Sequence, residues 1–283
     1  GDRPWEGNTC GYVTVFQDGD LFRMYYRGSH VDYTEGEVIN GPQVVCYAES
    51  ADGIDFERPS LGLVEFNGSK DNNIVWDGSG DHNFAVFKDA NPDCEPDELY
   101  KALGGGKEGL QAFKSADGIN WSMVSEDRII TDGYFDSQNL AFWDTVRGEY
   151  REYHRDFYEG VDARGNRNGR DIKTAASKDF YDWPDPEWLS YSPGRVGELY
   201  TNQVVPYYRA PHIFLGFPTR YTDRGWAEST KALPQLDYRR IRASKSMREG
   251  TAMTDGMLMS SRDGVNFDIW PEAFLRPGLK LTG

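Results

Sequence analysis

Ser50-Ala51-Asp52-Gly53-Ile54-Asp55-Phe56 is the first of four related stretches in this chain, and their recurrence decides the fold. The others are Ser115-Ala116-Asp117-Gly118-Ile119-Asn120-Trp121, Ser177-Lys178-Asp179-Phe180-Tyr181-Asp182-Trp183 and Ser261-Arg262-Asp263-Gly264-Val265-Asn266-Phe267. In each, an aromatic residue follows the aspartate by four positions, and the aspartates stand 65, 62 and 84 residues apart. A run of strand-forming residues precedes every copy: Val44 to Ala48, Gln111 to Lys114, Ile172 to Ala176 and Met257 to Ser260. These features describe a tight Asp-Gly turn between antiparallel strands, with the aromatic packed back over it.

A second pattern precedes each turn. Glu6-Gly7-Asn8 opens a strand that closes at Phe16-Gln17-Asp18 and returns through Phe22 to Tyr26. Asp81-His82-Asn83 opens the next, which closes at Asp89 and returns through Tyr100 to Leu103. Asp136-Ser137-Gln138-Asn139 closes at Asp144 and returns through Tyr150 to His154; Tyr200-Thr201-Asn202-Gln203 returns through His212 to Phe217. Each unit therefore reads as four strands, and four-stranded units repeated in series are the signature of an all-β propeller. Helical periodicity is confined to a turn or two between Ala227 and Arg248, interrupted by Pro234. The expected organisation is a single propeller domain over residues 1–283, with units near 1–76, 77–130, 131–195 and 196–275. Pro271 to Gly283 reads as the approach to a further inner strand, so a five-bladed parent is expected, with about four blades in this chain.

The 283 residues carry 46 acids against 31 bases, a formal net charge of −15. That balance argues against a general nucleic-acid binder, which needs a basic footprint. Forty aromatics (8 Trp, 17 Tyr, 15 Phe) supply a globular core and exclude global disorder. No apolar run is long enough to span a bilayer as a helix. Cys10, Cys46 and Cys94 cannot close a disulfide framework, and neither a metal site nor a cofactor is expected from any spacing. The first residue is not Met and no leader-like stretch opens the chain, so the native N-terminus is expected to be absent and the compartment is unreadable.

In a propeller all inner strands run the same way along the axis, so their starts meet at one mouth. Glu6, Asp81, Asp136 and the stretch Glu198 to Tyr200 occupy those starts, each with an amide close behind: Asn8, Asn83, Gln138 and Asn139, Asn202 and Gln203. A ring of carboxylates and amides above an apolar wall is a multi-donor pocket, and like charges held close raise one another's pKa. Trp5 and Tyr200, with Tyr33, are candidate sugar-stacking aromatics, and His82 is the best placed of the four histidines. Asp52, Asp117, Asp179 and Asp263 sit at the opposite end and are assigned to turn stabilisation. Asp18, Asp89 and Asp144, at strand exits, are set aside on the same register.

From Arg224 to Glu249 seven bases (Arg224, Lys231, Arg239, Arg240, Arg242, Lys245, Arg248) face three acids (Glu228, Asp237, Glu249). The corresponding loop of the third unit holds Arg164, Arg167 and Arg170. Guanidinium forks suit anionic groups, so Arg240 and Arg242 are candidates for recognising a uronate-bearing or sulfated saccharide.

The Ser-x-Asp-Gly turns resemble the Asp boxes of sialidases, one residue shorter between aspartate and aromatic. Taken with the acids opening successive inner strands, nearly the whole chain resembles the five-bladed propeller glycosidases, the superfamily of glycoside hydrolase families 32, 43 and 117. The stretch from Cys46 to Trp76 resembles uncharacterised bacterial glycosyl hydrolase-like proteins. The resemblance implies that a blade-one acid is base or nucleophile, a blade-two aspartate tunes pKa, and a blade-three acid protonates the leaving oxygen. By position these are Glu6, Asp81 and Asp136. The chain carries Glu and Asp where that superfamily carries Asp first and Glu third, which makes Glu198 a competing general acid. The resemblance implies a glycoside hydrolase acting on an oligo- or polysaccharide, with inversion favoured. A non-catalytic saccharide-binding propeller, a glycoside phosphorylase and a sialidase-like enzyme using Tyr200 near Glu198 stand as alternatives.

Overall fold

The computed structural model describes residues 1–161 and 167–277, the side chains of 161, 167 and 168 excepted. Its first sheet is a meander of β1 (Gly11–Asp18), β2 (Leu21–Thr34), β3 (Glu37–Ser50) and β4 (Ile74–Trp76), each strand antiparallel to the next. The second repeats that order with β5 (Ala85–Lys88), β6 (Tyr100–Gly106), β7 (Gly109–Ser115) and β8 (Ser122–Met123). The third does so with β9 (Leu140–Asp144), β10 (Glu149–Val161), β11 (Arg167–Ser177) and β12 (Glu187–Trp188).

The fourth sheet is larger. It includes β13 (Ser190–Ser192) and β14 (Glu198–Leu199), and its inner part is β15 (Val204–Tyr207) and β16 (Ala210–Gly216). After Pro218, β17 (Thr219–Asp223) continues alongside the next long strand, and the chain then folds into α1 (Glu228–Lys231), α2 (Leu236–Lys245) and α3 (Met247–Thr251). The strands β18 (Ala252–Ser261) and β19 (Asn266–Leu275) complete it, and β13 pairs parallel to β19. Residues 190–192, which the repeat spacing counts with the third unit, thus pair in the fourth sheet. The helical segment is also fuller than one or two turns: Pro234 separates α1 from α2 rather than suppressing helix.

Inner strands neighbour one another in chain order, β1 beside β5, β5 beside β9, and β9 beside β15. That is the geometry of a propeller, and the apolar core lies between its blades. Tyr25, Val45 and Tyr47 meet Phe84, Val86 and Phe113; Leu103 and Leu110 meet Phe135, Tyr150 and Phe180; Tyr153 and Ile172 meet Phe214, Met259 and Phe267. A further cluster, Tyr26, Val44, Cys46 and Ile74 with Trp5 and Phe66 against it, covers the other face of the first blade.

The Asp-Gly turns form as their composition dictates. Ser50 Oγ accepts from the amides of Asp52 and Gly53, while Asp52 Oδ1 accepts from Ile54 and Asp55. Ser115/Asp117 and Ser261/Asp263 repeat this pattern. The turns also latch blade to blade. Tyr25 of the first blade donates to Gly118 O at 2.8 Å, and Tyr153 of the third to Gly264 O at 2.8 Å. Gly118 holds φ 77° with the Tyr25 hydroxyl 2.7 Å from where a Cβ would stand, so both backbone and space require glycine there.

Candidate functional site

Register puts Asp81 and Asp136 just ahead of β5 and β9; Asp136 meets His82 of the second blade, while Asp81, next to His82 in the chain, accepts from the Gly78 amide of its own turn at 3.2 Å. His82 Nε2 lies 3.0 Å from Asp136 Oδ1, and its Nδ1 lies 2.9 Å from Gln43 Oε1 of the first blade. Arg27 Nη1 touches the His82 ring and donates to its carbonyl at 3.3 Å, while its guanidinium covers the Tyr12 ring at 4.5 Å. Three blades therefore meet at one basin.

The two carboxyl groups there are pushed in opposite directions. Burial raises Asp81 above the ordinary aspartate value, and the Gly78 amide and the charges of His82 and Arg27 offset this only in part. Asp136 is also pushed up by burial, but the hydrogen bond from His82 and the charges of His82, Arg155 and Arg27 outweigh it and hold the group below its ordinary value. Asp136 keeps 47% of its side chain exposed, so it remains open to a ligand. Buried Arg155 stands behind it, one terminal nitrogen 3.9 Å from Asp136 Oδ2 and the guanidinium under Tyr200 at 4.6 Å.

Tyr12 and Tyr200 flank this pair. The hydroxyl of Tyr200 reaches the Asp136 carbonyl at 3.4 Å. Tyr12 adopts φ 51° at the start of β1, a left-handed conformation that costs a bulky residue energy and marks a constrained position. Burial, then the neighbouring Tyr200 and Asp136, push its phenol well up.

Glu198 sits beside the basin but is held there. Arg170 donates to Oε2 at 2.7 Å and Arg248 to Oε1 at 3.0 Å, and both guanidinium groups lie over the Tyr221 ring. Both carboxylate oxygens of Glu198, the competing general acid of the sequence reading, are thus engaged by arginines.

Glu6 is not part of the basin. It is 2% exposed, and Tyr26 donates to Oε1 at 2.6 Å, Arg58 to Oε1 at 3.0 Å, and the Asp2 amide to Oε2 at 3.0 Å. Trp5 likewise turns away, donating to Asn73 Oδ1 at 2.7 Å and packing edge-on to Phe66 on the outer face of the first blade. The chain before β1 is folded down onto β2 rather than run along the axis, so the expected blade-one acid is sealed in scaffold.

Most of the amides are scaffold as well. Asn83 donates to Ser137 O at 2.9 Å and accepts from the Gly105 amide at 2.9 Å, tying the second blade to the third. Asn139 caps its own turn at Phe135 and Ser137, and Asn202 donates to Gln138 O and Tyr153 O. Asn8 exchanges two bonds with Val31. Gln138 crosses the axis to Thr14 Oγ1 at 2.9 Å and accepts from Gln203, so this amide pair links the first, third and fourth blades.

Of the basic candidates, Arg240 is exposed on α2 and pairs with Asp237, and Arg242 covers the Tyr33 ring at 4.9 Å. Arg164 lies outside the described residues, as does the side chain of Arg167. Sequence reasoning did not find Tyr12, Arg27, Gln43 and Arg155. The available signal was the charged run Glu152-Tyr153-His154-Arg155-Asp156 inside a strand, where alternation brings one set of side chains to each face. Among the described residues no group of three or more His, Cys, Asp or Glu is placed to hold a metal ion.

No family model matches the chain. An uncharacterised protein of Mycobacterium tuberculosis is 30% identical over 119 residues, which span 42% of this chain and 36% of that protein. Among solved structures, an alpha-L-arabinofuranosidase of Clostridium thermocellum superposes with a TM-score of 0.57 at 10% identity, covering 95% of this chain and 74% of that one. An N-acetylgalactosamine deacetylase of F. plautii in complex with blood group B trisaccharide gives 0.53 at 12% identity, covering 90% and 72%. A fructofuranosidase of Schwanniomyces occidentalis complexed with fructosylnystose gives 0.52 at 11% identity, covering 94% and 47%. At such identities the likeness is one of fold alone: the chain shares a β-propeller architecture with these structures.

Proposed function

We propose that the chain hydrolyses a glycosidic bond of an oligo- or polysaccharide in the basin around His82. The observation that carries this reading is the contact of Asp136 with His82 and of His82 with Gln43 across three blades; the surroundings of Asp81, next in the chain to His82, and of Asp136 also push their carboxyl groups apart in acidity. Glycoside cleavage needs one protonated and one ionised carboxyl across the scissile bond. Asp81, raised by burial, is the general acid for the leaving oxygen. Asp136, held ionised by His82 and two arginines, is the base or nucleophile. His82 orients Asp136 through Nε2 and is itself braced by Gln43. Tyr12 and Tyr200 supply apolar faces and hydroxyl groups for a sugar ring. These roles depart from the positional assignment of Glu6 as base and Asp136 as acid, because Glu6 has no access to the basin.

A non-catalytic saccharide-binding propeller is a second reading, favoured by the sealing of Glu6 and the double arginine clamp on Glu198. Turnover separates the two. Wild-type protein and Asp136→Asn are incubated with a panel of neutral and acidic oligosaccharides, with and without phosphate, and products are quantified. The hydrolase reading expects phosphate-independent cleavage of a panel member and a loss of at least about a hundredfold in the variant. Binding without cleavage selects the second reading, and phosphate-dependent turnover selects a phosphorylase.

A further inference from the structure

The basic segment of the fourth blade forms a groove of its own. Leu236, Arg240, Ala243 and Ser244 share one face of α2, and Trp226 and Lys231 stand across from them, enclosing about 540 Å³. The floor is apolar and the rim is cationic. α2 also rests on the β2–β3 hairpin, where Tyr238 meets Tyr33 edge-on, Arg242 covers the Tyr33 ring, and Ser244 Oγ, at the edge of the groove, accepts from the Gly36 amide at 2.9 Å. The groove is thus mounted on a braced helix. Among the described residues no ring contact or hydrogen bond engages the Trp226 indole.

Charge narrows the occupant. Lys231 pairs with Glu228 and Arg240 with Asp237, but both acids are about nine-tenths exposed, and such pairs are weak and easily exchanged for another anion. Over Arg224 to Arg248 the segment holds seven bases against two acids, within a chain of net charge −15. An apolar floor with an unengaged indole suits the carbon-bound hydrogens of a sugar ring, and the rim suits carboxylate or sulfate substituents. We propose that this groove is a subsite for an acidic saccharide, one bearing uronate or sulfate groups, which binds with a ring on Trp226 and its anion between Lys231 and Arg240. The proposal rests on the reading that the chain acts on saccharides, and it names their class.

The test is a binding titration in the Asp136→Asn background, so that turnover plays no part. A short oligogalacturonate, a neutral oligosaccharide of equal length and a poly-glutamate peptide are titrated by calorimetry. Oligogalacturonate is expected to bind and the other two are not. Trp226→Ala is expected to weaken it about tenfold. The double variant Lys231→Gln/Arg240→Gln, at exposed positions that leave the fold intact, is expected to weaken it by a similar factor. Raising NaCl from about 0.05 to about 0.5 M is expected to weaken it severalfold. Equal affinity for the neutral sugar or the peptide overturns the proposal, as does unchanged affinity in both variants. Groove binding without turnover in the wild type contradicts only the hydrolase reading, and turnover without groove binding contradicts only the groove.

Discussion

At the far end of the blades, Asp52, Asp117 and Asp263 each present Oδ1 to two backbone amides of the turn that follows, and a serine hydroxyl completes the set. At the mouth, Asp136 faces a histidine and a distant arginine and leaves nearly half its side chain in solvent. One residue type does two jobs because local amides satisfy the carboxylate at one end, while side chains from other blades surround it at the other. Glu6 falls on the turn side of this contrast although it opens the chain near the mouth: local amides, Tyr26 and Arg58 consume it.

Substitutions that spare shape but alter charge sharpen the contrast. The largest effect is expected from Asp81→Asn, which removes the proposed acid and lowers kcat/KM by at least about a hundredfold with thermal stability retained. In the wild type, kcat/KM is expected to rise as Asp136 ionises, below the ordinary aspartate value, and to fall as Asp81 loses its proton above it. The alkaline limb is absent from the residual activity of the variant.

Glu6→Ala is expected to cost about 2 kcal/mol of unfolding free energy, because it leaves the buried Tyr26 hydroxyl without its acceptor while Arg58 keeps Asp2. Denaturant titration reads this, and kcat is expected to stay near wild type; a hundredfold activity loss in folded protein would return Glu6 to the mechanism. Asp117→Ala is expected to cost less, about 1 kcal/mol, through lost turn hydrogen bonds. Asp117 is pushed up by burial, yet the Asn120 and Ile119 amides and the Asn120 and Ser115 side chains bring it down to about 2. Its contribution is therefore complete above the unfolded value near 3.8 and is lost as pH falls toward about 2. Wild type and variant should converge in stability at that acid end. The smallest effect, about 1 kcal/mol or less, is expected for Gln138→Ala, which opens the link across the axis to Thr14.

The repeat was legible because its turns are local. Ser115, Asp117 and Gly118 lie within four residues and satisfy one another without help from elsewhere, so spacing alone announces them. The contact of Asp136 with His82 of the neighbouring blade is in keeping with strand direction, which a propeller imposes on every blade. The fate of Glu6 was not legible, since it depends on Arg58 from 52 residues away and on how the preceding loop folds. The backbone partners of Asn83, Asn139 and Asn202 were not legible for a related reason. An amide behind a strand start serves a ligand or a neighbouring backbone equally well, and only the blade spacing decides. Arg27 and Arg155 gave little warning, because alternation along a strand does not say which face meets the axis.

The central claim is that the basin splits two aspartates into an acid and a carboxylate. Carboxyl-carbon NMR titration of selectively labelled protein, assigned with Asp81→Asn and Asp136→Asn, measures this directly. The account predicts Asp136 titrating below 3.8 and Asp81 above it. Coincident titration of both at that value, or the reverse order, would contradict it.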